Sequence, residues 1–340
     1  MGTDLGAGVL EANARAWRSL MEELDAWAMA GLSATLWWRD DDATEPSRAL
    51  WRLRDITDGV GVPITLSVIP AAVRPGLVGL VEGWRGVTPV QHGFNHVNHA
   101  GSGAAKAEFT DKRPLSEMTA DIAAGDRIMK ALFGTGTLPV LVPPWNRMPA
   151  VVVTTLPELG FIGLSTHSVW DVMDNRGLCR LRVRTALGKA LASLSVGFES
   201  SERRIRSGAP VASERRAITT VGATIDVIDW RAHRFLGESR VLDHATRHLR
   251  LRRNEGRIDI ARPTGLLTHH GVMDEESWRF VERFAMATRY HPAVRWLTGS
   301  HVFGSLANRT CHGVVPARVD PQQPVLMTGG ATVRSLDRRL

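Results

Sequence analysis

The chain has 340 residues, 44% hydrophobic and 23% charged, enough to bury a large core and too apolar to be disordered throughout. Its net charge of +7 rests almost entirely on arginine, and the basic clusters Arg203-Arg204-Ile205-Arg206 and Arg250-Leu251-Arg252-Arg253 lack interleaved aromatics, which argues against nucleic-acid binding. No apolar run approaches the ~18 residues of a membrane span, the first residues carry no secretory pattern, and Cys179 and Cys311 show no pairing or metal-binding pattern, so a cytoplasmic location is expected.

Leu10, Ala14, Trp17, Leu20, Met21, Leu24 and Trp27 recur at helical spacing and predict an amphipathic N-terminal helix within residues 1–33. The apolar run Thr35-Leu36-Trp37-Trp38 then predicts a buried strand ending in Arg39-Asp40-Asp41-Asp42. A helix near 46–59, a strand over 63–69 and a helix near 75–85 follow. The run Val87-Thr88-Pro89-Val90 leads through Gln91 into His92-Gly93-Phe94-Asn95-His96. A Gly/Ala-rich loop, Ala100 to Ala105, precedes a helix near Ser116, with Ser116 as N-cap and Glu117 and Asp121 early in it. Pro139-Val140-Leu141-Val142 reads as a strand ending in Pro143-Pro144-Trp145-Asn146-Arg147, and another helix-then-strand unit ends near Leu164. Residues 170–217 lack any period and read as loops or an insertion. Asp243 to Arg253 and Asp274 to Arg289 read as helices, and between them Gly265-Leu266-Leu267-Thr268 reads as a strand ending in His269-His270. Pro316, Pro321, Pro324 and Gly329-Gly330 predict an irregular tail over 301–340. The alternation of strand and helix over 34–300 predicts an α/β domain with parallel strands and crossover helices.

Each apolar run ends in polar residues, and in parallel α/β folds ligands bind at the C-terminal ends of the strands. One pocket of carboxylates, histidines and an aromatic is therefore expected. His92 and His96, four apart, can share one cation, with Gly93 allowing close backbone approach and His99 as a substitute for either. Three adjacent aspartates repel unless a cation relieves them. In an extended strand Asp41 and Asp42 face opposite sides, so both reach one pocket only if the chain turns, which Ala43 to Pro46 permits. Pro143-Pro144-Trp145 is stiff and apolar, suited to a pocket wall. His269 is a candidate proton donor, and alternation sends His270 to the other face. In Asp226-Val227-Ile228-Asp229-Trp230, a carboxylate could hold a histidine in one tautomer.

In their order along the chain these motifs resemble the polysaccharide deacetylase family, carbohydrate esterase family 4. The resemblance covers about residues 34–300 and implies a distorted (β/α) barrel that removes N-acetyl groups from a carbohydrate or N-acetylated small-molecule substrate. It implies Asp41 as general base and Asp42, His92 and His96 as ligands of a divalent metal, Zn²⁺ by preference; a register slipped by one, to Asp40 and Asp41, stays open. It implies a groove wall at Pro143-Pro144-Trp145, which lacks the family's arginine and has Arg147 as a candidate replacement. Asp226, Asp229 and Trp230 match the fourth motif and His269 the fifth. His269 would then donate the proton to the leaving group, oriented by Asp226 or Asp229, and Pro144, Trp145, Arg147 and Trp230 would meet the substrate. The missing arginine leaves an alternative, a catalytically inactive sugar- or metal-binding protein on the same fold.

Overall fold

The strands, in chain order, are β1 (Ala34–Ala43), β2 (Ile64–Val68), β3 (Val87–His92), β4 (Val140–Val142), β5 (Gly163–Leu164), β6 (Thr219–Thr220), β7 (Ile225–Asp226), β8 (Ile228–Asp229), β9 (Arg234–Phe235), β10 (Thr264–Thr268) and β11 (Val294–Trp296). They come from a computed structural model that describes residues 2–166, 218–254 and 262–307; the expected insertion over 170–217 and most of the expected tail lie outside the described residues, as do both cysteines. The expected parallel sheet is present. β1 is buried in all but Asp42 and pairs in parallel with β10 on one side and β2 on the other, and β3, β4, β5 and β6 continue from β2. At the opposite end β7 pairs in parallel with β10.

The two ends of this sheet meet in one extended segment, 219–226. Its first half bonds β5, with Val221 N–H donating to Leu164 O, and Ala223 N–H reaches Thr166 O beyond it. Its second half turns to β10, with Thr224 N–H donating to Gly265 O. The sheet is thereby curled into a distorted (β/α) barrel. β11 pairs with the N-terminal half of β1, and β8 and β9 form a short antiparallel pair around Trp230. Alternation along β1 divides the core: Trp37 packs inside the barrel with Val90, Val140, Val221 and Phe303, whereas Leu36 and Trp38 join the layer between sheet and helices.

The helices are α1 (Gly2–Met29), α2 (Arg48–Val60), α3 (Pro75–Glu82), α4 (Leu115–Phe133), α5 (Ala150–Val153), α6 (Glu238–Asn254), α7 (Glu275–Arg289) and α8 (Gly299–Ala307). Ser47 and Asp274 cap α2 and α7, accepting from Leu50 N–H and Ser277 N–H. In α1, Trp17, Leu20, Leu24 and Trp27 are buried as expected, but Leu10 is 71% exposed. The reason is length: α6 begins level with Asn13 and Trp17, which bond Ser239 N–H and Glu238, so Leu10 overhangs its start. Ser116 does not cap α4. The Pro114 carbonyl already accepts from Glu117 and Met118 N–H, which puts Ser116 inside the first turn. α6 starts at Glu238, five residues before the expected Asp243. α8 runs into the range expected to be irregular, because Val302 and Phe303 are buried, Phe303 edge-on to Trp37 at 6.0 Å. Among the described residues no helix is long and apolar enough to cross a membrane.

Candidate active site

Because all strands of the barrel run parallel, the C-terminal ends of β1, β3, β4, β7 and β10 open on one side, and the polar clusters gather there. On β1, alternation alone would send Asp42 away from Asp41. Asp42 instead adopts a left-handed φ of 73°, and the register against β2 shifts between Asp40 and Ala43. The turn that the sequence placed at Ala43 to Pro46 thus occurs at Asp42 itself. It brings Asp42 Oδ1 to 3.1 Å from His92 Nε2 and 3.3 Å from His96 Nε2.

His92 ends β3, and its Nδ1 lies 2.9 Å from the Val142 carbonyl. A carbonyl only accepts, so Nδ1 carries the proton and Nε2 turns its lone pair toward Asp42. His96 reaches the same point from a tight turn. Gly93 at φ 54° starts that turn, and a Cβ there would lie 2.0 Å from Glu108 Oε2 and 2.6 Å from Pro144. Buried Glu108 accepts from Phe94 N–H (3.1 Å) and Asn95 N–H (2.9 Å), and Gln91 Nε2 donates to Gly93 O at 2.8 Å. His96 itself sits at φ 57°, its ring 4.4 Å from that of Trp145. The three ligand atoms of Asp42, His92 and His96 lie within 4.8 Å of one another; His99 is not in this group.

This donor set fits a divalent cation. Asp42 Oδ1 is buried, and two imidazole nitrogens face it at 3.1 and 3.3 Å. Burial would raise the Asp42 pKa, but the bond and charge of His92, with His269 and His96, hold it well below the usual carboxylate range. Burial opposes protonation of His92, yet its bond to Asp42 and the charges of Asp41 and Asp42 raise its pKa. Two neutral imidazoles and a carboxylate are ligand types that a divalent cation such as zinc takes.

Asp41 stays on the inner face and is fully buried beside Arg39, also on that face two residues earlier. Arg39 Nη2 donates to Asp41 Oδ2 at 3.0 Å, and Nε lies 3.0 Å from Oδ1. Burial works to raise the Asp41 pKa, and Arg39, His92 and His269 together bring it below the ordinary value. His269 Nε2 is 3.8 Å from Asp41 Oδ2, and its ring meets Trp230 edge-on at 4.6 Å. His270 turns the other way, as alternation required, and its Nδ1 lies 2.5 Å from Asp40 Oδ1. Asp40 therefore faces away from the cluster of Asp41, Asp42 and the site histidines.

One expected contact is not made. Asp229 does not reach His269. It accepts from Arg231 and Ala232 N–H and lies 4.0 Å from Arg240, because it opens the turn between β8 and β9. Asp226 is closer to the site: its pKa, raised by burial, is drawn back by the charge of His269. Its oxygens bond Ile228 N–H (2.9 Å) and Trp230 Nε1 (2.7 Å), and His269 Nδ1 has no hydrogen-bond partner among the described residues. Arg147, the candidate replacement for the groove arginine, bonds backbone carbonyls. It is exposed and donates to Lys106 O at 3.1 Å, beside a groove of about 420 Å³ lined by the Ala100–Ala107 loop. Pro144 is buried against Gly93, and Trp145 and Asn146 follow at φ 54° and 56°. Asp42, His96, Trp145 and Asn146 thus concentrate left-handed backbone, which costs about 1–3 kcal/mol per residue when not glycine, at this one end of the barrel.

No protein-family model matches the chain, and no curated protein matches it. Among solved structures it is similar to a putative polysaccharide deacetylase from Mycobacterium smegmatis, at 14% identity over 86% of this chain and 96% of that one, with a TM-score of 0.48. It is also similar to a family 4 carbohydrate esterase from Streptomyces lividans in complex with acetate, at 13% identity over 77% and 90%, TM-score 0.43. A third is the Bc1960 peptidoglycan N-acetylglucosamine deacetylase, at 11% identity over 82% and 96%, TM-score 0.44. The likeness of this chain to polysaccharide deacetylases in these comparisons is one of fold.

Proposed function

We propose that the chain is a metal-dependent hydrolase that removes N-acetyl groups from a carbohydrate or related N-acetylated substrate. The observation that carries this reading is the convergence of Asp42, His92 and His96 on one point, with Asp41 and His269 beside it. A divalent cation held by the three ligands, zinc by preference, would polarise the acetyl carbonyl and acidify the attacking water. Asp41 accepts the proton from that water. Its charge is kept by Arg39, so it is in the basic form at neutral pH. His269, 3.8 Å from Asp41, gives a proton to the departing amine nitrogen. Trp230 packs on His269 and Trp145 on His96, so the acetyl group enters between two aromatic walls that limit water. Asp226 supplies negative charge close to His269 and holds Trp230 by its indole N–H.

The test is acetate release from short chitin oligomers by zinc-loaded protein. Release that stops on chelation and returns with zinc is expected. Full release by the chelated protein, or none from a panel of N-acetylated sugars by protein that holds zinc, overturns the reading; the latter result would select the inactive binding protein instead.

A further inference from the structure

We infer that Arg39 is the positioning residue of this site: it fixes the carboxylate plane of Asp41 and ties it to the turn that carries Trp145. The inference rests on the hydrolase reading above. Arg39 is wholly buried, and its guanidinium is shared among three elements. Nη1 donates to Ser165 Oγ at 2.6 Å, just past β5; Nη2 donates to Asp41 Oδ2 at 3.0 Å and to Asn146 Oδ1 at 2.8 Å. Nε completes the contact with Asp41, 3.0 Å from Oδ1. A buried guanidinium is costly unless paired, and its planar fork sets the orientation of the group it pairs with. Here that group is the base. The same Nη2 also grips Asn146, the second of two consecutive residues in the left-handed region, and so holds Trp145 against His96. Lysine, a point charge on a flexible stem, has no fork with which to meet Asp41, Asn146 and Ser165 in this geometry.

The experiment compares Arg39→Lys and Arg39→Ala with the wild type in zinc content, kcat and KM for acetate release. Misplacing a base costs less than the roughly 10²-fold or more of removing it, so kcat should fall about 10-fold or more while zinc content stays at the wild-type level. Guanidinium chloride at millimolar concentration should recover part of the Arg39→Ala rate and none of the Asp41→Asn rate. Asn146→Ala, which frees the wall but leaves Arg39 on Asp41, should act mainly on KM. A kcat within about 3-fold of wild type in both Arg39 variants, or zinc lost in step with activity, overturns the inference, the second because a merely structural arginine predicts it. If the wild type holds zinc but releases no acetate, the hydrolase reading fails separately. The crystal structure of Arg39→Lys then decides: an Asp41 carboxylate turned from its present plane supports the positioning role, and an unmoved one overturns it.

Discussion

Replacing His270 by alanine should destabilise the chain by about 3 kcal/mol, even though His270 faces away from the reacting groups. Its partner Asp40 is fully buried and keeps only Thr268 Oγ at 2.6 Å and the backbone N–H of residue 270 at 3.1 Å once the imidazole is gone. Breaking a buried ion pair from one side costs about 3–5 kcal/mol, and these two surviving bonds place the cost at the lower end. For a domain of this size that is a fall in Tm of about 5 °C. Burial opposes charging His270, but the charge and bond of Asp40 overcome it and raise its pKa. A raised histidine contributes fully below its unfolded pKa of about 6.5, and the contribution is lost as pH rises through the folded value. The penalty should therefore be larger at pH 6 than at pH 9. The assay is urea unfolding of wild type, Asp40→Leu, His270→Leu and the double variant, with His270→Ala alongside. Replacing both partners by apolar residues is often neutral, so the double variant should recover most of what either single change loses. A coupling energy under about 0.5 kcal/mol would refute the pair as a buried clamp between β1 and β10.

Asp41→Asn should retain zinc and lose about 10²-fold or more in rate, the scale of a lost general base; an inactive Asp40→Asn beside an active Asp41→Asn would move the base by one residue. Gly93→Ala places a methyl 2.0 Å from Glu108 Oε2 and 2.6 Å from Pro144, so thermal melting should show a clear loss of stability together with weaker zinc binding; an unchanged melt would mean the turn yields freely. His248 is buried near Arg252, and burial chiefly, with that charge, lowers its pKa to about 3. The folded chain thus refuses a proton that the unfolded one takes near pH 6.5, and stability falls as pH drops below that, by about 1.4 kcal/mol per pH unit at most. His248→Gln should flatten this limb in urea unfolding at pH 7 and pH 5, and an equal slope in both proteins would refute it.

Much of this architecture is readable from the strand ends. Buried parallel strands write themselves as apolar runs, so the polar residues that close them, Asp41, Asp42, His92 and His269, stand out in the sequence. Spacing also separated the two faces at His269 and His270. What stayed hidden has identifiable causes. β5, β6, β7, β8 and β9 are two residues each, too short for any periodicity to register. Arg39 sits inside a visible charged cluster, but no local rule shows that its fork spans Asp41, Ser165 and Asn146, which are up to 126 residues away. Glu108 lies in a stretch that reads as plain loop, and only its bonds to Phe94 and Asn95 reveal that it shapes the histidine turn. The Asp-x-x-Asp spacing of Asp226 and Asp229 cannot say which carboxylate caps a turn and which lies near His269. The left-handed turn at Asp42 also eludes a reading that takes strands as regular, yet it brings Asp41 and Asp42 to one pocket.

The most direct test of the account is the zinc stoichiometry of the purified chain after loading and removal of excess metal. The wild type and His99→Ala should each hold about one zinc per chain, while Asp42→Asn, His92→Ala and His96→Ala should each fall well below that, since a site with three protein ligands binds far less tightly with two. Full occupancy in all three ligand variants, or loss in His99→Ala with His96→Ala unaffected, would contradict the assignment of Asp42, His92 and His96 as the metal centre.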